Sequence, residues 1–358
     1  MGFSGSYDPR DVTFLLKPVD MPSTPPEEKE ILIQSGKLHY SEMISREPPP
    51  SPEYERMFLE AQERQGGRFA RDLLQLAASI ATAREGALVL VSLARAGTPV
   101  GVIVARILRA LYFREVRHYS ISIIRDRGVD NTALEWILAR HQETGLVFLD
   151  GWTGKGVIAR ELKKSLQVIN RGRKNPLPDE LFVVADLAGH ADFAATAEDY
   201  LMPCAILGGT VSGLVSRSIL NREVVGVKDF HACLLLSELA PCDRSRDFAD
   251  QMTQLALGIG PLPSPLPHSR EELTLKSRKF LAEIDQRYGV GDPNLIKPGI
   301  AETTRALLRR VPDRILLKDP QDPDLAHLLF LAGKRGIPVE ISSWMPYKAA
   351  SLICRGKG

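Results

Sequence analysis

Residues 145–166 read GLVFLDGWTGKGVIARELKKSL. Leu146 to Leu149 is an uninterrupted apolar run, the mark of a short strand buried on both faces. The spacing predicts that this strand ends at Asp150 and that residues 151–156, Gly-Trp-Thr-Gly-Lys-Gly, form a turn. From Lys155 to Ile169 the apolar residues Val157, Ile158, Leu162, Leu166 and Ile169 recur at helical spacing. A buried strand that turns directly into an amphipathic helix is half of a βαβ unit. Its glycine-rich turn offers several backbone N–H groups and the positive end of a helix dipole, an anion site suited to phosphate. Thr153 adds a hydroxyl donor. Asp150, at the strand tip, is placed to hold a magnesium-bound water or a sugar hydroxyl. The P-loop pattern does not fit, because Gly156 stands where Ser or Thr is required, and GxGxxG is absent.

The same alternation continues on both sides. Strands are expected at 87–93, 119–124 and 181–185, with helices at 99–111 and 131–141 between them. Short buried strands alternating with helices imply a parallel sheet with right-handed crossovers, in which ligands bind beyond the carboxyl ends of the strands. Residues 1–80 read as an N-terminal segment that wraps this domain. Proline-rich breaks occur at 21–30 and 46–55, and one or two helices follow over 54–84. The sheet domain then covers 81–257. GIGPLPSPLPH, residues 258–268, is a semi-stiff linker. The tail, 269–358, restarts the pattern as a small α/β domain: helices at 271–288, 300–310 and 325–335, strands at 314–318 and 338–341.

Composition narrows the class without naming a chemistry. Hydrophobic residues are 44% and charged residues 25% of 358, which excludes wholesale disorder. No apolar stretch approaches the roughly 18 residues of a membrane span. Charge precedes any apolar run at the N-terminus, so no signal peptide is read there and a cytoplasmic location is expected. Lys and Arg total 46 against 44 Asp and Glu, so net charge argues neither for nor against nucleic acid. Cys204, Cys233, Cys242 and Cys354 form no CxxC pair and no zinc spacing.

FLDGWTGKG resembles the phosphate loop of the type I phosphoribosyltransferases, with a single acid, Asp150, where those enzymes carry two. SLARAGTPV, residues 92–100, resembles their pyrophosphate loop, and SIIRDRGVD, residues 122–130, the segment that covers the substrate. The resemblance implies an α/β fold: a type I phosphoribosyltransferase-like parallel sheet followed by a small C-terminal α/β Pelota-like domain. It implies phosphoribosyl pyrophosphate as substrate with Mg, Asp150 steering the ribose or metal, and Thr153, Gly154, Lys155 and Gly156 holding the 5-phosphate. Arg95, Ala96 and Gly97 would hold pyrophosphate, Arg125 would cover the substrate, and Ser212 and Arg217 would line the acceptor pocket.

GSYDPRDVTFLLKP, IQSGKLHYSEM, TVSGLVSRSILN and KPGIAETTRALLRRVP extend the resemblance over nearly the whole chain. They resemble a bacterial family of tellurium-resistance gene clusters that joins such a domain to a Pelota-type RNA-binding domain. That family is also described as cysteine proteases, StiP. The resemblance therefore implies a glycosyl-transferring enzyme acting on a small phosphorylated metabolite in a stress pathway, with a homodimer admitted and no membrane partner. The alternative is a cysteine protease using Cys204 or Cys233 with His231 or His190. A third reading is RNA binding through the tail, with Lys297, Gly299, Glu302, Thr303, Thr304 and Arg305 at the contact turn.

Overall fold

The structure is a computed structural model and describes residues 2–353; Cys354 lies outside them. The N-terminal segment supplies β1 (Thr13–Leu15), β2 (Lys17–Pro18), α1 (Pro26–Gln34) and the 32-residue α2 (Pro52–Ala83). The sheet region follows with β3 (Leu88–Ala94), α3 (Gly97–Leu111), β4 (Val116–Ile124), β5 (Gly128–Val129) and α4 (Asn131–Leu138). It continues with β6 (Leu146–Thr153), α5 (Val157–Ile169), β7 (Leu181–Asp186), β8 (Phe193–Thr196), β9 (Ala232–Cys233) and α6 (Ser245–Ile259). The tail holds α7 (Arg270–Tyr288), β10 (Ile296–Pro298), α8 (Ile300–Arg309), β11 (Pro312–Leu317), α9 (Ala326–Arg335), β12 (Val339–Ile341) and β13 (Ala349–Ile353).

The main sheet runs β1-β4-β3-β6-β7-β8 with every pair along that path parallel, and β5 added antiparallel to β4. Its runs of Val, Leu and Ile are apolar on both faces because both faces are covered. One face packs α2, α3 and α6, through residues such as Phe69, Leu73, Ile103, Ile107 and Met252. The other packs α4 and α5, through Leu134, Ile137, Leu162 and Leu166. The order reverses between β3 and β6, so the turns that leave them diverge and open a crevice at the carboxyl edge. α3 starts hard against that crevice: a Cβ on Gly97 would lie 2.6 Å from the Leu149 carbonyl oxygen.

The helices α1 and α6 and the short strands β2, β5, β8, β9 and β10 have no counterpart in the sequence expectation, and three further differences shape the site. β6 does not end at Asp150 but pairs with β7 as far as Thr153, because Trp152 and Thr153 still face Ala185 and Asp186 across the ladder. The wrapping segment also supplies an edge strand, β1, too short to show alternation. In the tail, β13 has no expected counterpart, yet it is one of the two inner strands of the order β10-β13-β11-β12.

The tail is not held apart by the proline-rich stretch. Ile300, Leu307, Leu328 and Leu331 of α8 and α9 belong to the same buried cluster as Tyr54, Leu201 and Ile206. Asp199, just after β8, accepts the backbone N–H of Ile300 at 2.9 Å and of Lys348 at 2.8 Å. Asp324, next to α9, accepts Gln65 Nε2 of α2 at 2.7 Å and pairs with Arg64 at 3.2 Å. Arg310 forms a bidentate pair with Glu30 of α1 at 2.7 and 2.6 Å.

Candidate active site

The turn between β6 and α5 is built from its own residues. Thr153 Oγ1 accepts the Gly156 N–H at 3.0 Å, which closes the turn. Gly156 sits at φ +69°, and a Cβ there would lie 2.1 Å from the His190 ring. Glycine is therefore required on two counts, backbone handedness and space. Gly156→Ala is expected to cost about 1–2 kcal/mol from the left-handed backbone alone, plus the displacement of His190. Thermal denaturation would check this, with Gly172→Ala, open around a similar φ of +78°, isolating the backbone part.

Above the turn stands a cleft of about 640 Å³, walled on one side by the turn and on the other by β10 and α8 of the tail. Glu302, Arg305 and Arg309 point into it from one face of α8, their i, i+3, i+7 spacing placing them in a row. Glu302 accepts Trp152 Nε1 at 3.0 Å and Arg305 Nη1 at 3.2 Å. The Arg305 guanidinium stacks 4.4 Å from the centre of the Trp152 ring, a cation–π contact. Lys155 donates to the Pro293 carbonyl and Arg125 N–H to Tyr40 at 2.8 Å, and both residues line the cleft.

Charge in the cleft is unbalanced. Lys29, Arg125, Lys155, Arg217, Lys297, Arg305, Arg309 and Arg310 line it, against Asp150, Asp292 and Glu302. Burial and then the nearby Lys297 push the Lys155 ammonium down to about 7. Burial likewise pushes Lys297 down to about 8, against the pull of Glu302. Burial lifts the Asp150 carboxyl to about 6, opposed by Arg305 and by the Gly151 N–H bonded to it at 2.7 Å.

Asp150 thus faces a guanidinium, and among the described residues no three His, Cys, Asp or Glu side chains are grouped to hold a metal ion.

The structure brings together Asp150, Thr153, Gly154, Lys155, Gly156, Arg125, Arg217, Lys297, Glu302 and Arg305 around one cleft. It keeps Arg95 out of it: that side chain is 5% exposed, donates to the Val215 carbonyl at 2.8 Å and pairs with Glu47. Burial pushes the Glu47 carboxyl up, but the Arg95 and Arg309 guanidiniums and the Gly209 N–H overcome this and hold it at about 2. Ala96 and Gly97 abut β6, and Ser212 is buried outside the cavities. Thr303 and Thr304, fully buried, turn their hydroxyls back to the Gly299 and Ile300 carbonyls at 2.8 Å. The expected RNA-contact turn is therefore a wall of this cleft rather than a free face.

The thiols stand differently. Cys204 lies on the one-turn 3₁₀ segment Pro203–Ala205, against which α8 packs. Burial pushes it up to about 12, with Arg305 pulling down and Asp150 pushing up. Cys233 in β9 is pushed to about 12 by burial alone. No hydrogen bond joins either thiol to an imidazole among the described residues. His231 instead meets Ser122 Oγ at 2.8 Å, and His190 meets Arg160 at 3.0 Å. The Cys204–His231 pairing expected for a protease is not made in this conformation.

Lys29, Tyr40, Arg309 and Arg310 were not foreseen as cleft residues. Arg309 is legible as the continuation of a charged helix face, and Arg310 follows it as the extended residue that caps α8. The other two come from the wrapping segment, whose path sequence spacing does not specify.

Fold and cleft define a parallel α/β protein whose carboxyl-edge crevice is completed by a second α/β module. Residues 5–253 match the family model of the tellurite-like stress resistance cysteine protease StiP, and residues 275–355 that of the PELOTA RNA binding domain. A protein named cysteine protease StiP from Acinetobacter baylyi is 41% identical over 370 residues, covering 100% of this chain and 96% of that one. The chain belongs to the StiP family. These matches correct the expectation of a phosphoribosyltransferase acting on phosphoribosyl pyrophosphate: both the family and this full-length relative carry a cysteine-protease name. The similarity of the glycine-rich turn was local, and a turn that suits an anion does not by itself specify a reaction. No helix among the described residues is long and apolar enough to cross a membrane.

Proposed function

We propose that the chain is a cysteine protease of the StiP kind, with Cys204 as its nucleophile beneath the cleft. The activity comes from the family and the full-length relative. The observation that carries the choice of thiol is electrostatic: Cys204 feels Arg305 and Asp150 of the cleft, whereas Cys233 feels burial alone. Thiolate attack on a peptide carbonyl makes a thioester as the amine departs with a proton, and water then releases the acid. Arg305 supports the thiolate and burial opposes it, so catalysis requires the cleft to loosen around Cys204. Hydrolysis of an unfolded protein by the full chain, compared between Cys204→Ser and Cys233→Ser, is the test. Equal activity in both variants would remove Cys204 from this role.

The excess of cations supports a second reading, a phosphate-bearing small ligand held by Lys155, Lys297 and Arg305. The match of residues 275–355 to the PELOTA RNA binding domain raises RNA as an alternative ligand here. The burial of Thr303 and Thr304 favours a small ligand over a folded RNA. Calorimetry with pyrophosphate is expected to show binding weakened about tenfold by Lys297→Met, the loss of one charge-assisted contact. An RNA gel shift at low salt that Lys297→Met abolishes would overturn this reading in favour of RNA.

A further inference from the structure

Behind the cleft lies a second cavity of about 430 Å³ that the protease reading does not use. The two cavities share a wall made by Lys29 of α1, Arg217 and Arg309 of α8. Beyond that wall the second cavity is lined by apolar groups such as Tyr54, Leu236, Leu308 and Phe330, and also by Glu27, Arg46, Glu47, Lys334 and Arg335. Tyr54 turns its hydroxyl away, donating to the Ile206 carbonyl at 2.8 Å, and its ring stacks on Phe330 with centres 6.0 Å apart. An apolar chamber of this size with a few charged groups at one end is the usual form of a small-molecule site.

The charged end is under-compensated. Lys29 is 4% exposed, and its ammonium donates to a neutral partner, Ser45 Oγ, at 2.8 Å. Arg217 donates to the carbonyls of Met43 and Ser218, again neutral. Arg309 reaches Glu47 at 3.5 Å, longer than a charge-assisted hydrogen bond, and Glu47 is already committed to Arg95. Arg310 beside them is matched by Glu30. Of the charged residues that line this cavity, six are cations, Lys29, Arg46, Arg217, Arg309, Lys334 and Arg335, against two carboxylates, Glu27 and Glu47. Clustered, half-desolvated cations are costly without a counter-charge. Burial and the neighbouring guanidiniums push the Lys29 ammonium down to about 8, consistent with a missing anion.

We propose that this cavity binds an amphipathic anion, with its apolar body against Tyr54, Leu308 and Phe330 and its phosphate or carboxylate head on Lys29, Arg217 and Arg309. The site uses neither Cys204 nor Lys155, although its head-group cations stand in the wall shared with the front cleft. Calorimetry on the full chain would use decyl phosphate, decanoate, decanol and pyrophosphate as probes. Decyl phosphate or decanoate is expected to bind one per chain, at least tenfold more tightly than decanol, and the stronger of the two identifies the head group. Leu308→Trp, which fills the chamber from a residue 36% exposed, and Lys29→Met, which removes a head contact, are each expected to weaken it tenfold or more. Pyrophosphate binding, read at the front cleft, is expected to survive Leu308→Trp and so reports that the variant is folded. Decanol binding as tightly as both anions, or a folded Leu308→Trp chain binding the anionic probe unchanged, would overturn the proposal.

Discussion

Cys204→Ser is expected to lower hydrolysis of an unfolded protein by on the order of a thousandfold or more, the scale on which removing a nucleophile acts. Cys233→Ser is expected to leave it within about twofold, because that thiol is enclosed in apolar core and meets no charge of the cleft. The pH dependence distinguishes a resting thiol from an activated one. With the Cys204 thiol held at about 12, about one in ten thousand is ionised at pH 8. The rate should therefore climb roughly tenfold per pH unit without a plateau near neutrality. Iodoacetamide should label Cys204 slowly in the folded chain and rapidly once the chain is denatured. Fast labelling of the folded chain at pH 7, with activity on a neutral plateau, would mean that the thiol is already activated, and the loosening step would be unnecessary.

Asp199→Ala carries the second large effect. The carboxylate joins the main sheet to the tail by accepting the N–H groups of Ile300 and Lys348. Its loss orphans these two buried donors at about 1–3 kcal/mol each, so a total cost of about 2–6 kcal/mol is expected. Tm should fall by several degrees, and protease cleavage within 260–268 should accelerate as the tail loosens. Asp199→Asn keeps an acceptor and should cost much less. The carboxyl also titrates in the folded chain: burial raises it to about 6, against those N–H bonds and Lys348. A raised carboxyl contributes stability that is fully present below its ordinary value and is lost as pH rises through about 6. Glu47, held at about 2, works oppositely, and its contribution is lost only as pH falls below about 4. Between about pH 4.5 and 6 the Asp199 carboxyl adds stability on acidification, whereas the buried imidazoles of His118 and His327, held at about 3, remove it. The expected result is therefore a difference: Asp199→Asn should lose more stability, or gain less, than the wild-type chain as pH falls across this window. Identical slopes for the wild-type and Asp199→Asn chains over this window would show that Asp199 does not titrate there.

Much of the architecture was written locally. The apolar run at 146–149 and the stripe Val157, Leu162, Leu166 specify a buried strand and an amphipathic helix, since period and burial are properties of neighbours in sequence. The helices of the tail were legible for the same reason. β1 and β13 were not, because three apolar residues, or an Ala-rich stretch, become strand only when a partner edge is offered. The cleft divides in the same way. Asp150, Thr153 and Gly156 could be placed from their position at the carboxyl end of a strand, and Glu302 and Arg305 from the resemblance of the tail's turn. Their meeting could not be read, nor could the diversion of Arg95 to Glu47, 48 residues earlier in the chain.

The sequence by itself determined a parallel α/β domain, a glycine-rich turn that suits an anion, and a second α/β module. It also determined the family, through motifs spread along the chain. The tertiary structure alone decided that the second module closes over the first. The cause is long-range burial: Ile300, Leu307 and Leu331 share a core with Tyr54 and Ile206. It also decided that the expected RNA turn becomes a cleft wall and that Lys29, Arg217 and Arg309 stand together short of negative charge. Such contacts depend on which distant surfaces are desolvated together, and no local period in the chain records that.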